Sequence, residues 1–177
     1  MFLYSYKSKK NKNKITARYI YTEIININKH IISKGILINN NHFNLAFEIN
    51  SILLFCFFFG NKLSCSHKNN NLYQEIMNIF VNDLDNSFRA NGIGDMKIGK
   101  YVKKTINKFY FRLKKLEFIF NNDDINEFRN YLINLGLFEK LNHEEKNINF
   151  LFKNCKELIA RTKNDEINKS ILNKLFN

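Results

Sequence analysis

The sequence contains no proline and no tryptophan, and only six glycines among 177 residues. Because proline and glycine are the residues that most often interrupt regular structure, their scarcity favours long helices over short strands and turns. Three cysteines, an odd number without paired spacing, argue against a disulfide framework and fit a reducing compartment. The sequence therefore predicts an all-α fold, a single compact domain of about six or seven helices.

Patterns typical of enzymes and metal sites are also missing. Cys65 and His67 fall in one polar segment, but a metal site takes three or four ligands. The turn at 92–95, Gly-Ile-Gly-Asp, lacks the third glycine and the preceding strand of a dinucleotide-binding motif. The turn is expected to be a plain connection between two helices, and the alternative is an anion-binding site at the start of the second helix. We therefore expect no enzymatic activity, no catalytic residue, no metal and no cofactor.

Positive charge is the main compositional signal. Lysine and arginine number 28 against 16 acidic residues, for a net charge of +12. Such a surface attracts nucleic acid, ribosomes and anionic membranes without choosing among them. Residues 1–17 are rich in lysine, contain no acid and lack the apolar run of a signal peptide. We expect them to form a flexible basic tail, followed by a helical domain over 18–177.

Apolar residues recur at spacings of three and four, the period of an amphipathic helix, in several segments. We expect a loop over 60–71 and helix ends at Gly35, Gly92 and Gly136. We expect Asp95 to cap the helix after the turn and Asn122 or Asp123 to cap a later helix. Arg89 follows Asp85 by four residues, the spacing of a helix-stabilising ion pair. The apolar stripes consist of Ile20, Ile24, Ile27 and Ile31; Leu72, Ile76, Phe80, Leu84 and Phe88; Val102, Ile106, Phe109, Tyr110, Leu113, Leu116 and Phe120; Ile125, Phe128, Leu132 and Leu135; Ile148, Leu151, Phe152, Cys155, Leu158 and Ile159; and Ile167, Ile171 and Leu175.

Residues 44–59 form the most apolar segment. Its uninterrupted run, 52–59, is far shorter than the roughly 20 apolar residues that span a bilayer. We therefore predict a buried central helix and not a transmembrane helix. The alternative is a surface that inserts partly into a membrane or binds an apolar segment of another protein.

The segment Phe80–Arg112 combines a helix, a glycine turn and a second helix with one lysine-rich face. Phe111 falls among the lysines, which favours contact with a partner. A helix, a turn and a basic helix also outline some DNA-binding modules. Residues suited to reading bases are not concentrated at the start of the second helix, so we expect no specific DNA binding.

The residues of this segment resemble the signature of the ubiquinol–cytochrome c chaperone family. The resemblance extends loosely from about residue 18 onward and departs at Phe111, where family members often have glycine. The residues that match the signature are Asp83, Asp85, Phe88, Arg89, Gly92, Ile93, Gly94, Asp95 and Met96, then Lys100, Val102, Lys103 and Lys104, then Phe109, Tyr110 and Arg112.

The resemblance implies an all-helical, non-enzymatic assembly factor. Mitochondrial members bind newly made cytochrome b near the ribosome and help it to enter the quinol–cytochrome c reductase complex. The implied partners are cytochrome b or another respiratory membrane protein, the ribosome, and an anionic membrane in peripheral contact. The implied location is the cytoplasm at the inner membrane for a bacterial-type member, or the mitochondrion for a eukaryotic one.

We expect the acids of one helix and the bases of the next to form a client- and partner-binding surface around the glycine turn. Charge reversal of Lys103 and Lys104 is expected to weaken binding of a client or ribosome without unfolding the protein. The candidate residues are Asp83, Asp85, Arg89, Gly92, Gly94, Asp95, Lys100, Lys103, Lys104, Tyr110 and Arg112.

Two alternatives from other classes remain open at this point. A basic helical protein that binds nucleic acid or ribosomes predicts binding with a steep dependence on salt. A purely structural helical module predicts that substitutions throughout the turn are tolerated.

Overall fold

The computed structural model describes the backbone of residues 2–64, 70–137 and 144–164, and the side chains of residues 12–64, 71–137 and 145–164. These residues form six α-helices and no strand, which confirms the all-α prediction. The predicted last helix, with Ile167, Ile171 and Leu175, lies outside the described residues. The helices are α1 (Phe2–Ser33), α2 (His42–Leu63), α3 (Asn70–Ala90), α4 (Asp95–Asn121), α5 (Ile125–Asn134) and α6 (Glu144–Lys163).

Helix α1 begins well before the position that the sequence pattern indicated. It starts at Phe2, so it includes most of the segment that was expected to be a flexible tail. The physical reason is that no glycine or proline precedes Gly35, and lysine is a good helix former. The isoleucine stripe of α1 is buried as predicted, with Ile24 and Ile31 almost fully covered.

The chain forms two compact units, a division that helical periodicity alone does not reveal. Unit 1 consists of Met1–Glu23 and Ser66–Phe111, and unit 2 consists of Ile24–Cys65 and Arg112–Asn177. Both α1 and α4 contribute residues to both units, because each continues as one helix past the dividing position.

Helix α2 lies at the centre of unit 2. By length and composition alone, its 22 residues could cross a membrane, but 78% of its apolar window is buried inside the protein. The prediction of a buried central helix is therefore confirmed. The helix extends beyond the predicted segment 44–59 at both ends. Its polar residues Glu48, Asn50 and Ser51 are buried along with their apolar neighbours.

Aromatic side chains join the helices of unit 2 around α2. The ring of Phe55 on α2 lies 5.4 Å from that of Phe120 on α4. Phe120 in turn stacks on Phe152 of α6 at 5.1 Å and meets Phe128 of α5 at 5.6 Å. A single aromatic cluster therefore holds four helices together.

Gly60 lies inside α2, although the sequence pattern assigned it to a loop. A Cβ at this position would lie 2.5 Å from the carbonyl oxygen of Ile159 and 2.7 Å from Cβ of Thr162, both on α6. The helices therefore meet closely at a residue without a side chain. The helix itself ends later, where the backbone N–H of Ser64 caps it by donating to the carbonyls of Gly60 and Asn61.

The cap of α5 also differs from the prediction by one residue. Asp124, and not Asn122 or Asp123, accepts hydrogen bonds from the backbone N–H groups of Asn126 and Glu127 at 2.9 and 3.0 Å. Asp123 instead takes a left-handed conformation, with φ of 51°, as the chain turns between α4 and α5. Three consecutive residues able to cap a helix made this boundary ambiguous in sequence.

Replacement of Gly60 by alanine is expected to lower the free energy of unfolding by roughly 1–3 kcal/mol, because the added methyl group must displace backbone of α6. Gly99→Ala is the matched control, since nothing lies within 4 Å of a Cβ at that exposed position of α4. The control is expected to gain about 0.5–1 kcal/mol. Urea denaturation of both variants measures the difference, and equal effects would contradict the close approach of α2 and α6.

Candidate functional site

Aromatic pairs position α3 and α4 within unit 1. The ring of Phe80 lies 5.0 Å from that of Phe109, and the ring of Phe88 lies 5.8 Å from that of Tyr101. Phe80 and Phe109 are almost completely buried. With their apolar stripes packed together, the two helices direct their polar residues outward.

The turn between these helices closes α3 with a left-handed glycine. Gly92 has φ of 79°, and its N–H donates to the carbonyl of Arg89 while the N–H of Ile93 donates to that of Phe88. This pair of bonds is the Schellman motif that commonly ends helices. The end predicted at Gly92 is confirmed.

Helix α4 begins one residue away from the expected cap. The carbonyl of Gly94 accepts a hydrogen bond from the N–H of Lys97 at 2.9 Å, so Gly94 occupies the cap position. Asp95 is then the first helical residue and not the cap. A carboxylate in the first turn still stabilises a helix, through the positive end of its dipole.

Arg89 joins the end of α3 to the start of α4. Its Nε donates to Oδ2 of Asp85 at 2.6 Å, which confirms the predicted pair at a spacing of four, and its Nη1 donates to Oδ1 of Asp95. The hydrogen bonds that Arg89 donates to Asp85 and then to Asp95 raise the pKa of Arg89. All three side chains are accessible to solvent, so we expect this cluster to orient the turn more than to stabilise the fold.

Asp83 binds a residue that the sequence pattern did not connect with it. Its Oδ2 accepts a hydrogen bond from the hydroxyl of Tyr21 on α1 at 2.8 Å. Burial, and then the charge of Asp83, raise the pKa of Tyr21, so this hydroxyl stays protonated and remains a donor. Asp83 therefore links α3 to α1 within unit 1 through this hydrogen bond.

Tyr21→Phe is expected to lower the free energy of unfolding by about 1–3 kcal/mol, because a partly buried carboxylate loses its donor. Tyr110→Phe is the matched control, since that tyrosine is 51% exposed and its change should have little effect. Thermal or urea unfolding of the two variants provides the comparison. A loss no larger than that of the control would show that the Tyr21–Asp83 bond does not support the fold.

Lys100, Lys103 and Lys104 lie exposed on the outer side of α4, together with Lys97. No ion pair joins any of these four lysines to an acidic residue in the part of the chain that the structure describes. The lysine-rich face predicted from periodicity is therefore open to solvent at the start of α4, whereas farther along Lys108 is half-buried and Lys115 pairs with Glu127.

Arg112 lies in unit 2, where it binds a buried carboxylate. Its Nε and Nη2 donate to the two carboxylate oxygens of Glu48 on α2 at 2.9 and 3.1 Å. The Glu48 side chain is 3% exposed and that of Arg112 is 15% exposed. Neighbouring Tyr131 is also covered, and burial and then the charge of Glu48 raise its pKa. Arg112 thus neutralises a charge inside unit 2, a structural role that its place in the motif did not indicate.

Arg112→Met is expected to lower the free energy of unfolding by about 3–5 kcal/mol, because it leaves the Glu48 carboxylate buried without its cation. The double variant Arg112→Met, Glu48→Leu removes both charges and should recover much of that loss. Urea denaturation of both variants tests the coupling. Additive losses would mean that the two residues do not support one another.

A family model for ubiquinol-cytochrome C chaperones matches residues 40–132, a little over half of the chain. The chain belongs to the ubiquinol-cytochrome C chaperone family. The match extends from the residues before α2 into α5, so it includes the glycine turn and every candidate residue predicted from the sequence. No curated protein and no solved structure matches the chain.

In this chaperone-family chain, the predicted site residues fall into three groups. Asp85, Arg89, Gly92, Gly94 and Asp95 surround the turn, with Asp83 two residues before Asp85 on α3. The second group is the lysines on the outer side of α4, with exposed Tyr110 farther along the helix. The third is Arg112 alone, bound to Glu48 in unit 2.

Three residues near these groups were not among the candidate binding residues predicted from the sequence. Lys97 lies three residues before Lys100, so the helical period could have identified it. The side chain of Met96 is fully exposed beside the turn. The only sequence signal for Glu48 was a charged residue within an apolar helix.

The described residues contain neither a candidate metal site nor an exposed cysteine. No group of three or more histidine, cysteine or acidic side chains there could hold a metal ion. Cys56 and Cys155 are buried free thiols, and burial, followed by a hydrogen bond with Cys155, raises the pKa of Cys56. Such thiols behave as small apolar core residues. Cys65 and His67 lie outside the described residues.

Proposed function

We propose that this protein is a non-enzymatic assembly chaperone for a respiratory membrane protein. The proposed client is cytochrome b, or a similar protein, during biogenesis of the ubiquinol–cytochrome c reductase complex. The observation that supports this proposal most is the family match over residues 40–132, which includes α2, α3, α4 and the turn at 92–95. The proposed location is peripheral at the inner membrane, on the cytoplasmic side or in the mitochondrion.

The proposed client-binding surface lies around the turn in unit 1. Met96 projects fully into solvent there, and methionine adapts its shape to irregular apolar partners. Nothing lies within 4 Å of a Cβ built at Gly94 or Gly99. Because neither residue has a side chain, a partner can approach the backbone closely at both positions. Arg89 holds Asp85 and Asp95 in place beside this surface.

The charges of this surface suit transient binding. Exposed lysines follow the turn on α4, while the acids at the turn are already bound to Arg89. Charges at the rim of an interface mainly raise the rate of association and select partners, and they add little to affinity. A chaperone must release its client, so such a surface fits the proposed role better than a large apolar groove.

A nucleic-acid- or ribosome-binding function is the second candidate. It is favoured by one observation, the exposed Lys97, Lys100, Lys103 and Lys104 of α4, none of which pairs with an acid among the described residues. This function predicts affinity that falls steeply with salt, and binding of nucleic acid in the absence of any membrane-protein client.

The proposal predicts that the tagged protein, purified in mild detergent, recovers cytochrome b. Lys103→Glu with Lys104→Glu should reduce that recovery about tenfold or more, because like charges then meet across the interface. The matched control is Lys146→Glu with Lys153→Glu, two exposed lysines of α6 that change the net charge equally. Quantitative mass spectrometry of the purified material measures recovery, and circular dichroism verifies the fold.

Equal recovery of cytochrome b by both double variants would contradict the assignment of Lys103 and Lys104 to the client surface. Recovery of nucleic acid without any respiratory membrane protein would contradict the chaperone proposal and support the second candidate.

A further inference from the structure

One stripe of side chains follows the outer side of α4 within unit 1. It contains Met96, Lys97, Lys100, Lys104 and Phe111, and successive members from Lys97 onward are separated by three, four and seven residues. These spacings are whole turns of a helix, so the side chains share one face. Met96 is fully exposed and Phe111 is 65% exposed, so an apolar residue lies near each end. At about 1.5 Å per residue, they are roughly 22 Å apart along the axis.

The stripe contains no compensating negative charge. Residues 96–111 include no acid at all. Elsewhere in the described residues, several surface cations have acidic partners, as in Lys62–Glu117 and Lys156–Asp123. The three lysines of the stripe form no such pair with any acid of the described residues. This face therefore presents a concentrated positive charge to solvent.

The fold itself does not favour these residues at these positions. Lys97 lies in the first turn of α4, at the positive end of the helix dipole, where an acid would be more stable than a lysine. Phe111 leaves most of its apolar surface in water. A partner that covers the face and supplies negative charge together with an apolar environment would make both choices more favourable.

We propose that this stripe docks on the surface of an anionic lipid bilayer. The lysine ammonium groups would lie against the headgroup phosphates, and Met96 and Phe111 would enter the boundary between headgroups and acyl chains. The inference rests on the proposed chaperone function for its purpose, since a client of that kind inserts into the bilayer.

Two features favour lipid over RNA as the occupant. The cations between residues 96 and 111 are all lysines, whereas arginine is the residue that suits bidentate phosphate contacts and stacking on bases. The apolar residues at the two ends suit a partner that offers hydrocarbon at more than one point. A bilayer surface does so over the whole length of the stripe.

The test is co-sedimentation of the full chain with vesicles of phosphatidylcholine alone and of phosphatidylcholine mixed with phosphatidylglycerol. We expect binding to the anionic vesicles only. Lys97→Gln with Lys100→Gln should weaken it about 30-fold, since each lysine near such a surface contributes about one kcal/mol. Phe111→Ser should weaken it roughly tenfold. The matched control is Lys146→Gln with Lys153→Gln on α6, and it should bind like the parent protein.

Four results would overturn the proposal. They are equal binding to both vesicle types, a control that weakens as much as the stripe variant, a Phe111→Ser variant that binds unchanged, and tighter binding to mixed-sequence single-stranded RNA that the same substitutions abolish. Co-purification in detergent separates this inference from the chaperone proposal, because no bilayer is present there. If vesicle binding fails while the parent protein still recovers cytochrome b, only the lipid inference is wrong. If vesicle binding holds and no client is recovered, the chaperone proposal is the one that fails.

Discussion

Unit 2 depends on the burial of α2. This helix has the length and apolarity of a membrane span, so in water its whole circumference must be covered by other elements. The aromatic cluster around Phe120 and the close approach of α6 at Gly60 provide that cover. Covering every side of α2 also encloses Glu48, and a carboxylate in such a place requires the cation that Arg112 supplies.

The helices of unit 1 are packed differently from α2, because they are amphipathic and bury only one side. Phe80 and Phe109 bring α3 and α4 together, and the polar sides of both helices remain in water. The turn between them is then set by Gly92 and by the contacts of Arg89. An exposed methionine and a row of lysines follow directly. The same protein thus combines a core built on an unusually apolar helix with an outer surface suited to contacts.

The segment Phe80–Arg112, which lies within the family match, serves both of these purposes. Asp83 and Arg112 belong to it, yet each binds a partner inside its own unit, Tyr21 and Glu48 respectively. Asp85, Arg89 and Asp95 shape the turn. The lysines of α4 are the part of the motif whose charge the fold leaves to solvent. This segment therefore combines residues that maintain the structure with residues that remain open to solvent.

The sequence by itself determined the all-α class, the buried stripes of α1 and α3, and the exposed lysines at the start of α4, because helical periodicity is a local property that any single helix displays. Gly60 within α2, the Tyr21–Asp83 bond and the pairing of Arg112 with Glu48 were decided only by the tertiary structure. The residues of each such contact lie 62 or more positions apart in the chain. No local pattern encodes which of two distant side chains will meet, since that depends on how whole helices pack.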